Sequence, residues 1–500
     1  MLRSLVLLLL LLASPAWAQK AEDRLRISWR EAIPDLDPTH NRQRTGLVIS
    51  HQVWDGLIAR DPQTLALRPL LATSWKAVDG TTIDFELRPG VTFHNGDPLT
   101  AEDVVYTIAQ ATGEDPLVAV PSNFAWIAGA EALDAMHVRL HLKRVFPAAL
   151  EYLALTLPIL PKQYRSRVGP AGFSRFPVGT GPYRIAGAAP DRIQLERHDG
   201  YFAGSPKGRA IIAHVEITAV PDSNAEIDDL LAGRADWIWS YQPDRGPEIL
   251  KNPGLVELRA ESMRLGYLSI DAAGRSLPGS PLTLLKVRQA IAAAIDRTTI
   301  ARTLVQGGAR VPEAPCFPTQ FGCDAAAAVR TEFDPARART LLAEAGFPHG
   351  FDTTLVSFVV PQYALAVAAN LEAVGIHAHV RQLPLAEAID IAAAGEAPLF
   401  MGSWGSYSIN DVSAILPYFF GGGDNDYARL PELQALIDQA DRITDADRRR
   451  AAYGQAIRLI TAQALWLPLH TYVTPYAMTR ALNFRPTADE LPRFYLASWR

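Results

Sequence analysis

The chain holds 500 residues, with 48 Lys and Arg against 53 Asp and Glu and a formal net charge of −5 at pH 7. This mildly acidic balance offers no basic footprint, so nucleic acid is not an expected partner. The length exceeds one ordinary domain and predicts two or more lobes.

At the N-terminus, Arg3 precedes an apolar run over residues 5–12, followed by Ala16-Trp17-Ala18. A positive start, a short apolar stretch and a small-x-small site read as a secretory signal, with cleavage expected after Ala18. A short membrane anchor is the alternative, although the run falls short of the ~20 residues a bilayer needs. No Cys lies near the cut, which disfavours a lipid-anchored form. No later segment is apolar enough to cross a membrane. A soluble exported chain suits the periplasm of a double-membraned bacterium.

Residues 53–108 place four elements in close succession. A helical turn is expected at Trp54, Asp55, Gly56 and Leu57. Strands follow around Ser74-Trp75 and over 82–88, where Ile83, Phe85 and Leu87 alternate with charged residues as a half-buried strand requires. After the His94-Asn95-Gly96-Asp97 turn, Thr100 and Asp103 favour a helix start, and Val104, Val105 and Ile108 supply its buried face. The word FPVGTGPYRI at 176–185 predicts a turn feeding a strand, because its two Gly and Pro182 oppose a helix.

Farther on, Val287, Ile291 and Ile295 keep helical spacing. Asp296 suits the cap of the next helix, which Gly307 ends. Asp334-Pro335 opens another helix that stops at Gly346. Residues 371–380 read as a helix end leading into a strand. Two cysteines, Cys316 and Cys323, flank a short loop containing Pro318 and Gly322. In an exported chain this suggests a structural disulfide, with two quiet thiols as the alternative. The spacing is not C-x-x-C, so catalytic redox use is not expected. No repeat or low-complexity linker is visible, which fits lobes joined by crossing strands better than separate beads.

The order and wording of these segments resemble the extracellular solute-binding protein family 5, the dipeptide, oligopeptide and nickel binders of bacterial ABC importers. The likeness covers nearly all of the chain after the signal. It implies an α/β, two-lobed periplasmic binding protein of the class II flytrap type, with an extra subdomain in the first lobe and two hinge crossings. The first lobe would take 19–265 plus 476–500, with the subdomain at 58–175, and the second 266–475. Crossings are expected near 264–269 and 470–476. The implied partners are a small-molecule or short-peptide ligand and an inner-membrane permease with cytoplasmic ATPase subunits. The implied carrier is a monomer, with no cofactor, no metal and no catalytic residue.

For the ligand site, the resemblance points to residues 401–427. Peptide-binding relatives place a Trp there, with an Asp three residues later for the peptide ammonium. Here Trp404 keeps the aromatic, but the Asp position holds Tyr407, and Asn410-Asp411 stands where an acidic pair would be. A neutral phenol cannot compensate a buried ammonium as a carboxylate does. Ser406 lies within the same word. Asn410 and Asp411 equally suit the cap of a helix near Val412, and Trp404 and Tyr407 equally suit ordinary packing. Tyr363 is a further candidate ligand contact, although no carboxylate-binding Arg aligns near it. In the first lobe, Arg42, Gln43 and Arg44 precede the first family helix, where two Arg would suit an anionic group or form a solvated turn. Trp126 reads as core or as a ligand-stacking residue.

Several other chemistries are weaker readings. His377 and His379 share a strand face, but two His without a third ligand make a poor metal site. The 421–426 loop starts like a calcium loop and lacks its closing Glu. No zinc-protease, nucleophile-elbow, S-x-x-K or phosphate-loop motif occurs. Short or modified peptides are the first ligand class, then opine-like or sugar-phosphate conjugates, then a metal chelate. A secreted hydrolase, or a sensor or chaperone on the same fold, is a further alternative.

Overall fold

The computed structural model describes residues 22–500 apart from 33–34, 41–42, 114–117, 119 and 221. The expected signal, its cleavage after Ala18, and Arg42 lie outside the described residues.

A ten-stranded sheet forms the frame. Its spatial order is Ile376–Gln382, Phe351–Ser357, Leu399–Trp404, Leu255–Ile270, Trp466–Thr479, Trp237–Trp239, Arg24–Trp29, His214–Ala219, Arg192–Arg197 and Tyr183–Ala189. The first three strands pair in parallel, as do Arg24–Trp29 and His214–Ala219. Leu255–Ile270 and Trp466–Thr479 sit in the middle and pair antiparallel from Leu255↔Thr479 to Ser269↔Trp466. Sixteen residues of strand extend about 50 Å, longer than one core. These two strands therefore pass from one lobe into the other, and they contain both stretches read as crossings. Their register breaks between Ser262 and Leu265 and again between Gly266 and Tyr267. A bulge at this point lets the ribbon bend between lobes.

The cores change over at the same place. Val256, Leu258 and Ala260 pack on the first-lobe core, whereas Met263, Leu265 and Tyr267 belong to a second-lobe core. Beyond the break, alternate residues face opposite sides of the sheet, with Leu265 and Tyr267 on one side and Leu268 and Ile270 on the other. Both sides are covered. Helices Leu285–Ala294, Pro335–Glu344 and Pro361–Glu372 bury apolar faces on one, and Pro431–Ala440 and Ala446–Ala462 on the other. Parallel strands buried on both faces require such cover.

The extra subdomain carries a four-stranded antiparallel sheet in the order Ala72–Asp79, Thr82–Leu87, His137–Leu142 and Ile127–Ala132. Ile83, Phe85 and Leu87 face inward, as their alternation predicts. Helix Ala101–Thr112 packs on this sheet. At its start the Asp103 carboxylate accepts the Thr100 N–H at 2.9 Å, the reach-back half of a capping box. Asp296 and Asp334 cap their helices through the N–H groups of Thr299 and Arg337.

One local expectation fails. Residues 54–57 form no helical turn, because helix Arg44–Val53 ends before them and Trp54 is extended. Tertiary partners draw this segment out of the helix. Trp54 Nε1–H donates to the Val178 carbonyl at 3.0 Å, Asp55 pairs with Lys207 at 2.7 Å, and the Leu57 carbonyl accepts from Ala72. The glycine word at 176–185 docks against the same bend. A Cβ on Gly179 would lie 2.1 Å from the Val53 carbonyl oxygen, so only glycine allows this approach.

Candidate functional site

The lobes meet where Leu399–Trp404 leaves the sheet. After Gly405, three consecutive non-glycine residues take left-handed backbone: Ser406 at φ 50°, Tyr407 at 49° and Ser408 at 65°. Each costs about 1–2 kcal/mol, so surrounding contacts must hold the turn. The Ser408 carbonyl accepts from Arg60 at 2.6 Å, and its hydroxyl donates to the Asp489 carbonyl at 2.5 Å while accepting from Arg44. The Asn410 N–H donates to Glu151 Oε1 at 2.7 Å. Arg44, Arg60 and Glu151 thus bind the second-lobe turn directly from the first lobe.

A charge network underlies this floor. Asp489 receives Arg60 at 2.9 Å and Arg493 at 2.7 Å. Glu490 pairs with Arg264 at 3.0 Å and Arg44 at 3.3 Å. Burial alone would raise both carboxyls. The guanidiniums outweigh it and hold Asp489 well below the usual carboxylate range and Glu490 down to about 2. Arg264 sits in the register break, so this network ties the hinge to the floor.

Beside the floor, a cavity of about 260 Å³ opens between the lobes. Trp126, Arg144, Phe146 and Tyr152 line it from the first lobe, and Tyr407, Tyr418 and Asp441 from the second. The first-lobe rings form one cluster, with Trp126–Phe146 at 5.1 Å and Phe146–Tyr152 at 5.2 Å. Opposite them, Trp404 stacks on Tyr418 at 4.1 Å and meets Tyr407 edge-on at 5.1 Å. Burial pushes the Tyr418 phenol up to about 12 and the Asp441 carboxyl up to about 6.

The structure separates the residues singled out in the sequence. Tyr407 lines the cavity, with Trp404 supporting it from behind and Ser406 buried beneath. Asn410 is tied to Glu151. Both Asp411 oxygens accept from Arg449 at 2.8 Å, and one also caps the Ser413 N–H at 2.9 Å. Arg44 is spent on Ser408, Asp489 and Glu490, while Gln43 is an exposed N-cap without a capping bond. Tyr363 lies elsewhere, in the other second-lobe core, edge-on to His470 at 5.4 Å. Trp126 belongs to the core at 5% exposure and still faces the cavity. Sequence reasoning missed Arg144, Tyr152, Tyr418 and Asp441. Only Tyr418 carried a signal, the aromatic density of residues 416–420.

Cys316 and Cys323 are joined by a disulfide. Within its loop, Gln320 donates to the Ile409 carbonyl at 2.8 Å, and Phe321 and Asn410 share a backbone hydrogen bond of 3.0 Å. The crosslinked loop therefore braces the floor segment. A second cavity, about 220 Å³, lies in the first lobe beside His51, Arg60, Lys207 and Arg493, so it borders the same floor network from the first-lobe side.

The profile of the bacterial extracellular solute-binding proteins, family 5, matches residues 66–426. The glutathione-binding protein GsiB of Pectobacterium atrosepticum is 28% identical over 487 residues, covering 92% of this chain and 90% of its own. Heme-binding protein A of Haemophilus influenzae is 26% identical, over 84% of this chain and 82% of its own. Among solved structures, HbpA2 from Haemophilus parasuis superposes with a TM-score of 0.82 at 24% identity, covering 95% of this chain and all of its own. DppA from Helicobacter pylori, in complex with the peptide STSA, superposes at 0.81 with 22% identity, over 95% and 98%. These relatives are binding proteins, and no helix among the described residues is long and apolar enough to cross a membrane. The cleft, the two crossing strands and the profile match agree: the chain belongs to the bacterial extracellular solute-binding proteins of family 5.

Proposed function

We propose that this protein captures a peptide-like small solute in the periplasm and delivers it, unaltered, to an inner-membrane ABC permease. It acts as a monomer whose signal is removed after Ala18. We take its lobes as 19–265 with 476–500, including an extra subdomain at 58–175, and 266–475. Ligand contacts both lobes only when they close, so it favours the closed state by its differential affinity for it. The permease then distinguishes loaded from empty carrier. A micromolar carrier needs about 8 kcal/mol of net binding free energy, within reach of aromatic contact and a few charge-assisted hydrogen bonds in a closed cleft.

The observation that carries this reading is the cavity whose opposing walls come from different lobes. We assign Tyr407 and Trp404 to ligand contact, directly and in support. Arg44, Ser406, Asn410 and Asp411 shape the floor. At about 260 Å³ the cavity falls just below the ~300–1,000 Å³ common for drug-sized ligands, which favours a short peptide over a porphyrin. The test is native mass spectrometry of the exported protein purified without denaturant. A co-purifying peptide or peptide conjugate supports the proposal. Heme or a metal chelate in its place would overturn the ligand class.

A further inference from the structure

We propose that the cleft selects a ligand bearing a cationic amine, with the ammonium held on Asp441 inside the aromatic box of Trp126, Tyr152, Tyr407 and Tyr418. This rests on the reading of the cleft as the ligand site.

Tyr407 stands where peptide-binding relatives of the resembled family carry an ammonium-binding Asp, and a phenol supplies no negative charge there. The folded chain brings a carboxylate into the same cavity from a distant position. Asp441 follows helix Pro431–Ala440 and is the one acid among the described residues lining the cavity. It is 2% exposed.

Its partners leave it under-compensated. Oδ1 accepts from the Tyr453 hydroxyl at 2.6 Å. The nearest cation to Oδ2 is Arg144 at 3.9 Å, beyond hydrogen-bond length. Arg144 is itself held by Asp438 at 2.6 Å and stands at the rim, 37% exposed. A buried carboxylate with one side-chain hydrogen bond and no cation within hydrogen-bond distance attracts a ligand cation that can lose its water. Ammonium groups favour the π-faces of aromatic rings, and Trp126, Tyr152, Tyr407 and Tyr418 line the same cavity.

The groups facing Asp441 fix its response to pH. Tyr453 and Arg449 approach from helix Ala446–Ala462, Asp411 from the floor, and Arg144 and Tyr152 from the first lobe, while Asp438 lies on the helix that Asp441 caps. Burial raises the empty-site carboxyl to about 6; the Tyr453 hydrogen bond and the two guanidiniums lower it and Asp411 raises it. An arriving ammonium lowers it again, so binding must expel a proton wherever Asp441 starts protonated. Affinity for an amine then holds steady above pH 6 and falls by about tenfold between pH 7 and pH 5.

The test uses the full exported protein, stripped of ligand by unfolding and refolding, and isothermal titration with three probes. These are a mixture of free dipeptides, the same dipeptides N-acetylated, and phenethylamine. The expected result is binding of amine-bearing probes only, at least tenfold weaker in both Asp441→Asn and Tyr418→Leu, with a flat pH profile in Asp441→Asn. Asn preserves an acceptor for Tyr453, and Tyr418→Leu leaves that bond untouched, so circular dichroism of the two variants separates lost binding from lost folding. If phenethylamine alone binds and responds to the variants, the ammonium site stands and the peptide reading falls. If acetylated and free dipeptides bind alike, or neither variant weakens binding, the ammonium site is overturned while the peptide reading stands. Binding of no probe overturns both.

Discussion

Two equally buried carboxylates in this protein live under opposite conditions. Asp489, at the cleft floor, receives Arg60 and Arg493 at hydrogen-bond distance and is held well below the usual carboxylate range. Asp441, at the cleft wall, has the Tyr453 hydroxyl and a guanidinium 3.9 Å away, and burial pushes it up to about 6. The floor is a completed structural network. The wall keeps an unfinished one, which costs stability until a ligand arrives. Sites under functional demand commonly carry such a cost.

Substitution at the floor should have the largest effect. Asp489→Asn leaves Arg60 and Arg493 buried without their shared carboxylate and should destabilise the protein by about 3–5 kcal/mol in urea unfolding. A loss under about 1 kcal/mol would show that the floor is not the network described.

At the wall the sign reverses. Asp441 has a folded-state value of about 6 against an ordinary 3.8, so the folded chain holds the proton more tightly than the unfolded chain does. Its cost is absent below pH ~4, grows as pH rises toward 6, and is complete above that. Asp441→Asn should therefore stabilise the empty protein by about 1–3 kcal/mol at pH 7 and by almost nothing at pH 4. Equal effects at both pH values would remove the electrostatic origin of the difference.

The disulfide braces the floor from outside. Its ends are 7 residues apart, a short loop, so replacing both cysteines with serine should cost about 2 kcal/mol. Ligand affinity should change less than stability. A large affinity loss with unchanged stability would place residues 409–412 in direct ligand contact.

The smallest effect on the fold is expected at Trp404, half-buried behind the cavity-lining Tyr407 and Tyr418. Trp404→Ala should reduce ligand-induced thermal stabilisation in differential scanning fluorimetry while leaving the empty protein folded. An undiminished shift would detach this segment from the site.

Much of the fold was legible because local rules agreed with it. Ile83, Phe85 and Leu87 alternate, Asp296 and Asp334 cap, and the glycines at 179 and 181 mark a bend. Trp54 was misread because its indole and its neighbours find partners far along the chain, which no local pattern encodes. Half of the site was legible for the same reason: Trp404 and Tyr407 sit in one aromatic-rich word. Arg144, Tyr152 and Asp441 are far apart in sequence and converge only in the folded chain. Asp441 looks in sequence like any polar residue at a helix end. Arg44 and Asp411 looked available, and their guanidinium and carboxylate partners appear only in three dimensions.

Closure of two lobes on a small solute in the aromatic cleft is the central claim. Small-angle X-ray scattering of the stripped protein, before and after adding back the co-purifying ligand, tests it most directly. The account predicts a smaller radius of gyration in the loaded protein, with the contraction lost in Trp404→Ala at the same ligand concentration. Identical scattering curves from empty and saturated protein would contradict it.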